Sequence, residues 1–320
     1  MAPLIPYIQI PEIPIPFLAD VLSHIPGIGQ NFDPSHPPTI KPFGTLVAFG
    51  VYLGSVIAMR HGRQRGIDDK KLSEFIFWVV GLGFVGAHVL DAIFYHPAHV
   101  MKNPAYLFAL WEGLSSYGGF IGAALGALLW RWRKQQSVLA MVEVINSAFP
   151  LAWVFGRMGC ATVHDHPGML SDAWYAVRWP MPHGGVAGRL DLGLIEMVLT
   201  IPLAVAFLVL WRRNPFRPLG FYTGWMCVAY APVRFVLDFL RVGEAEPGVG
   251  AGGDPRYAGL TPAQWACFGL LAMGIYFLRI AHRGEPSGPP QPSSEEADDD
   301  EEEDDGEEAR PTEKAPASHP

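Results

Sequence analysis

Five residues able to do chemistry fall within ten positions of one another: Arg157, Cys160, His164, Asp165 and His166, in the stretch "FGRMGCATVHDHPG", Phe155–Gly168. Three chemistries fit these types. Cysteine, aspartate and histidine are all zinc ligands. A thiol beside an imidazole is a nucleophile with its base. An arginine at the end of an apolar run can grip a phosphate, because the guanidinium fork binds phosphate oxygens in pairs and stays charged when desolvated. Spacing alone leaves all three open. A second arginine, Arg234, precedes Asp238 by four residues, so these two share a helix face and can pair.

The elements that must hold these residues are membrane helices. Half of the 320 residues are hydrophobic and only 17% are charged, with the apolar residues gathered into runs too long for a soluble core. The expected fold is an all-α polytopic membrane protein with seven transmembrane helices: about Phe43–Met59, Phe75–Tyr95, Gly113–Trp130, Val138–Phe155, Leu190–Trp211, Leu219–Leu240 and Ala263–Ile280. Each approaches the roughly 20 residues that cross the hydrocarbon. Interruptions by Gly, Ser or Pro are tolerated where helices pack on one another. Cys160, Cys227 and Cys267 give no disulfide framework.

The net charge of −8 hides two opposite regions, since residues 284–320 carry 14 acidic side chains against Arg310 and Lys314. That −12 tail is expected to be disordered, and without it the body stands at +4. Arg60, Arg63, Arg65, Lys70 and Lys71 follow the first span, Arg131, Arg133 and Lys134 the third, Arg212, Arg213 and Arg217 the fifth, and Arg279 and Arg283 close the seventh. All fall on one side, which the positive-inside rule makes cytoplasmic. The N-terminus is then outside and the acidic tail inside. Residues 1–42 have no basic leader region and form an outer-surface arm, residues 43–283 the transmembrane domain, and residues 284–320 the tail.

This topology brings polar residues of five helices to the outer half of the membrane, where ionisable groups are expensive and therefore functional candidates. They are His88 and Asp91 on the second span, Tyr117 on the third, Arg157 on the fourth, Arg189, Asp191 and Glu196 on the fifth, and Arg234 and Asp238 on the sixth. Two arginines at one depth suit a phosphodiester, so the expected ligand is a phospholipid head group. Gly118, Gly122 and Gly126, four apart, read as a close-packing helix face. Glu143 and Asn146 read as interhelical hydrogen bonders. Met169–Gly188 is an outer loop whose tryptophans suit an interface anchor.

Four motifs in order resemble the prolipoprotein diacylglyceryl transferase family over roughly Ile8 to Arg283: "NPAYLFALWEGLSSYGGFIGA", "FGRMGCATVHDHPG", "YAPVRFVLDFLR" and "LTPAQWACFGLL". The resemblance implies a bacterial inner-membrane enzyme with its site facing the outer side. It would move the diacylglyceryl group of phosphatidylglycerol to the lipobox cysteine thiol of a preprolipoprotein, forming a thioether and releasing glycerol 1-phosphate. It implies no cofactor and no metal; the partners are phosphatidylglycerol, lipobox peptides and membrane lipid, with no nucleic acid. Carried over, Arg157 and Arg234 bind phosphate, Gly159 and Gly168 are signature glycines, and Asp165 and Asp238 stand at the family's acidic positions. His88 is a further candidate for the head group. The chain departs from the family at three places: Phe43 for a tyrosine, Tyr117 for a histidine and Cys160 for an asparagine. The thiolate is the nucleophile, so a proton acceptor is needed. A phenol with a reference pKa near 10 is a poor one, which leaves His88, His164 and His166 as candidates. The departures also motivate the alternative of a relative that binds phospholipid or lipoprotein without transferring.

Overall fold

The protein is described by a computed structural model covering residues 3–24, 37, 39–108, 113–181, 183–242 and 256–284; the acidic segment 285–320 lies outside the described residues. Seven long helices carry the fold: α2 (Pro42–Gln64), α3 (Asp69–Tyr95), α5 (Ser116–Lys134), α6 (Leu139–Val163), α7 (Leu192–Arg213), α8 (Phe221–Phe239) and α9 (Pro262–Arg283). Two short α-helices, α1 (Pro16–Ser23) and α4 (Pro97–Lys102), and a 3-10 turn at Pro104–Phe108 complete the helices of the described residues. Among these, α2, α3, α6, α7 and α9 are long and apolar enough to cross a membrane. Their outward faces carry bare aromatics, Phe77 and Phe94 each being 73% exposed, as a lipid-facing surface requires. Helices α5 and α8 fall short of that measure. Each has 19 residues, one ending in Arg131, Arg133 and Lys134 and the other holding Arg234 and Asp238.

Local chemistry fixes where the helices begin. The Asp68 carboxylate accepts the Lys71 N–H at 2.8 Å and starts α3, and Asp191 accepts the Leu194 N–H at 3.0 Å and starts α7. Thr261 and Gln264 form a reciprocal capping box ahead of α9, with Pro262 in the first turn. The fourth span was expected to stop at Phe155, but α6 runs on to Val163. Nothing in 156–163 breaks a helix, and the chain turns only at His164, which takes a left-handed φ of 52°. Arg157 therefore lies nearly two turns inside the helix rather than beyond its end.

The helices pack through glycine faces, as the small-residue spacing predicted. A Cβ on Gly122 would sit 2.1 Å from the Leu82 carbonyl oxygen, and one on Gly126 2.4 Å from that of Trp78, so α3 and α5 touch backbone to backbone. Gly50 of α2 does the same against the Ala152 carbonyl of α6, and Gly274 of α9 against that of Gly224 of α8. A buried core of Leu72, Phe75, Trp130, Val144, Phe207 and Trp211 fills the end of the bundle next to the basic loops.

The segment read as a plain outer loop is a sheet. Strands β4 (Pro167–Leu170), β5 (Val177–Pro180) and β6 (Val186–Asp191) join β1 (Ile5–Pro6) of the N-terminal arm in the order β1-β5-β6-β4. Strand β1 lies parallel to β5, and the other pairings are antiparallel. A two-residue pair, β2 (Ile13–Pro14) with β3 (Thr39–Ile40), follows on the arm. Val177 and Arg189, paired across β5 and β6, are buried on one face of the sheet and Leu190 on the other, so burial does not alternate along β6; two tryptophans, three prolines and a glycine pair further hide the strands in the sequence. The sheet is fastened to the bundle at both ends: Leu192 N–H donates to the His166 carbonyl at 3.0 Å, and Met169 N–H to that of Leu240 at 2.8 Å.

Candidate active site

Arg157 is the centre of the strongest polar cluster. Burial leaves it 6% exposed, and its Nε stands 2.8 Å from Oε1 of Glu196, which is 1% exposed. The same oxygen accepts the Tyr230 hydroxyl at 2.8 Å and the Trp153 indole N–H at 3.1 Å. Trp153, one turn earlier on α6, places its ring under the guanidinium at 4.7 Å. A buried arginine needs a counter-charge, and here the carboxylate takes Nε. The two terminal nitrogens form the edge that a phosphate binds in pairs, and the contacts of Nη1 are long ones that a phosphate would replace. Arg157 Nη1 points to Sγ of Cys160 at 3.8 Å and to Nε2 of His166 at 3.5 Å.

Arg234 forms the i,i+4 pair that its spacing predicted, with Nη2 2.9 Å from Oδ1 of Asp238. Asp238 is fully buried; its other oxygen accepts the Thr261 hydroxyl, and Arg241 lies 3.8 Å from the paired one. Tyr230, one turn before Arg234 on α8, joins the Arg157–Glu196 pair through its hydroxyl, so this cluster spans α6, α7 and α8.

The three histidines separate clearly. His166 donates from Nδ1 to Asp165, leaving the lone pair of Nε2 beside Arg157. His164 has both ring nitrogens on oxygen: Nδ1 on Asp191 at 2.7 Å and Nε2 on the Ile8 carbonyl at 3.2 Å. Tyr7 stacks on it at 4.0 Å and Trp179 meets it edge-on at 5.2 Å. Burial, and second the charge of Asp191, push the Tyr7 phenol above its ordinary pKa, so the ring stays neutral. His164 thus ties the N-terminal arm to α6 and α7, with both ring nitrogens engaged there. His88 is fully buried on α3, with its nitrogens facing the carbonyls of Tyr106 at 3.0 Å and Gly113 at 3.3 Å. It braces the chain entering α5 and turns no donor toward a head group.

The signature glycines admit neighbours rather than ligand. A Cβ on Gly159 would lie 3.1 Å from the ring of Phe43, and one on Gly168 2.9 Å from Leu190 Cβ. Tyr117 begins the first turn of α5 by its backbone, and its side chain lies outside the described residues. The four residues that looked like zinc ligands do not act together. Cys160, Asp165 and His166 bring one donor atom each within 4.8 Å of one another, while His164 faces Asp191 and the arm.

Residues 34–280 match the family model described as prolipoprotein diacylglyceryl transferase. The chain belongs to the prolipoprotein diacylglyceryl transferase family. Similar proteins named phosphatidylglycerol–prolipoprotein diacylglyceryl transferase occur in Janthinobacterium sp. (strain Marseille), 27% identical over 78% of this chain and 94% of that protein. Those of Nitratidesulfovibrio vulgaris and Pseudomonas fluorescens are 28% and 29% identical, over 79% and 81% of this chain and 93% and 94% of theirs.

Within this transferase family fold, sequence reasoning passed over two members of the central cluster and left a third without its partner. Trp153 and Tyr230 stand one turn before Arg157 and Arg234 respectively, on the same helix faces, and that i,i+4 spacing was the available signal. Glu196 was noticed as a buried charge, but nothing in the sequence paired it with Arg157 on another helix.

Proposed function

We propose that this chain transfers the diacylglyceryl group of phosphatidylglycerol to the lipobox cysteine thiol of a preprolipoprotein. The knot of Arg157, Glu196, Tyr230 and Trp153 carries this reading. It presents a charged, oriented guanidinium edge in a buried setting, which is what a phosphate leaving group needs as its charge develops. Arg234, one turn from Tyr230, supplies the second positive charge.

The substrate thiol gives its proton to Nε2 of His166, held in the accepting tautomer by Asp165. The thiolate sulfur then attacks the glycerol carbon that bears the phosphate. A C–S bond forms as the C–O bond breaks, and glycerol 1-phosphate departs with the bonding pair against Arg157 and Arg234. Tyr117, a phenol at the family's histidine position, takes no proton in this scheme. His88 and His164 hold the scaffold.

The same reading places the protein in a bacterial inner membrane with seven crossing helices, α5 and α8 included. The basic ends of α2, α5, α7 and α9 lie in the cytoplasm and the site faces outward. Packing on α3 and α9 supports the two less apolar helices. No cofactor and no nucleic acid enter the reaction.

The test is the purified full-length protein with phosphatidylglycerol and a mass-tagged lipobox peptide. The expected product is the peptide heavier by one diacylglyceryl group, with one glycerol 1-phosphate per peptide. Binding of both substrates without that mass increase would favour the non-transferring relative suggested by Phe43, Tyr117 and Cys160.

A further inference from the structure

We propose that the corner formed by Cys160, Asp165 and His166 is an inhibitory site for zinc, built on the transferase reading above. The donor atoms of these residues lie within 4.8 Å of one another, a thiol, a carboxylate and an imidazole being the set that a zinc ion prefers. They combine depth with access. Cys160 is buried at the floor, whereas the Asp165 side chain is 40% and the His166 side chain 22% exposed at the rim. An ion can enter past Asp165 and end on the sulfur.

The charges close as well. Binding expels the Cys160 proton to solvent, so one thiolate and one carboxylate offset the two charges of the ion. The three protein ligands leave the fourth tetrahedral position for water.

Inhibition, rather than catalysis, follows from what already occupies this corner. Arg157 Nη1 stands 3.8 Å from Sγ and 3.5 Å from Nε2 of His166. A zinc ion bound there draws the Asp165 carboxylate off the His166 Nδ1–H and takes the ring lone pair proposed to receive the substrate proton. It also sets a cation against the guanidinium edge proposed to grip phosphate. Both halves of the reaction are disabled by one ion. The feature follows from the departure at Cys160, because an asparagine amide at this position supplies no thiolate.

The experiment uses the full-length protein in phosphatidylglycerol micelles, freed of metal by chelator. Transfer is measured as zinc is raised, with magnesium as the control, and cobalt(II) serves as a spectroscopic probe. The expected result is loss of transfer with zinc but not magnesium, reversed by chelator, together with a thiolate-to-cobalt charge-transfer band. Cys160→Ser abolishes the band, while a Cys227→Ser/Cys267→Ser variant keeps it. The zinc concentration that halves the remaining transfer rises at least about tenfold in Cys160→Ser, since losing even an outer partner of a metal ligand costs about 10–100-fold in affinity. Cys160→Asn, the family's own residue, repeats the measurement should the serine variant not fold.

A missing band, a band that survives Cys160→Ser, or equal zinc sensitivity in the variants overturns the proposal. Transfer with no zinc response leaves the transferase reading standing alone. A Cys160-dependent band in a protein without transfer overturns the inhibition and the transferase reading together, while leaving a metal site.

Discussion

Two buried glutamates on neighbouring helices, both nearly free of solvent, are satisfied in opposite ways. Glu143 of α6 accepts the backbone N–H groups of Tyr222 at 2.6 Å and Thr223 at 3.1 Å, and the Thr223 hydroxyl at 2.7 Å. It caps the first turn of α8 from across the bundle, where the unpaired helix donors favour negative charge. Glu196 of α7 instead gathers side chains: a guanidinium, a phenol and an indole. A carboxylate that spends itself on backbone donors fixes two helices. One surrounded by side chains aims groups that keep further donors of their own. The identity of the donors, more than the burial of the acid, separates scaffold from site.

The sharpest way to break that contrast is at Arg157. Replacing it by alanine removes the buried charge aimed at the leaving phosphate and is expected to lower transfer by about 10²–10³-fold, the usual cost of losing an oriented transition-state donor. Single-turnover transfer in the purified variant checks this, and near-normal turnover would remove Arg157 from the site. His166→Ala is expected to cost about 10²-fold, the lower range for a general base. Phosphatidylglycerol binding should survive, because the phosphate groups are untouched.

Glu143→Ala tests the other member of the pair. Two helix-capping bonds and a hydroxyl contact disappear from a fully buried place, so the protein should lose about 2–4 kcal/mol of stability. Turnover per folded molecule should stay close to normal. A thermal melt alongside the transfer assay separates the two quantities, and a turnover defect larger than the folding defect would erase the distinction between the glutamates.

Much of this was legible before any coordinates. The α3–α5 contact was written in Gly118, Gly122 and Gly126, because four-residue spacing of small residues has one geometric meaning on a helix. The Arg234–Asp238 pair was legible for the same reason, and Glu143 was rightly set aside as a structural hydrogen bonder. What the sequence concealed was every contact between helices that carries no period. Glu196 lies 39 positions from Arg157, and the phenol completing their cluster a further 34 along, so no local pattern joins them. The small sheet was hidden because strands of two to six residues offer too few alternations to read. His164 and His166 are indistinguishable as letters, two apart on one loop. A left-handed turn at the first sends their rings to different partners.

That turn makes the smallest predicted effect the most discriminating. His164 bonds Asp191 through one nitrogen and the Ile8 carbonyl through the other, beneath the stacked ring of Tyr7. Alanine there removes both bonds and the stack, while Asp191 keeps the Leu194 N–H that starts α7. The helix bundle should therefore remain intact, and the loss falls on the arm, which is otherwise held by β1 and the Leu4–Trp174 backbone bond. Limited proteolysis should cut His164→Ala within residues 3–14 at a rate raised by about tenfold, the equivalent of roughly one lost hydrogen bond's worth of local stability. Transfer should fall by no more than about threefold, against about 10²-fold for His166→Ala. Equal losses of transfer in the two variants would mean that the arm, and not the His166 imidazole alone, sets the rate.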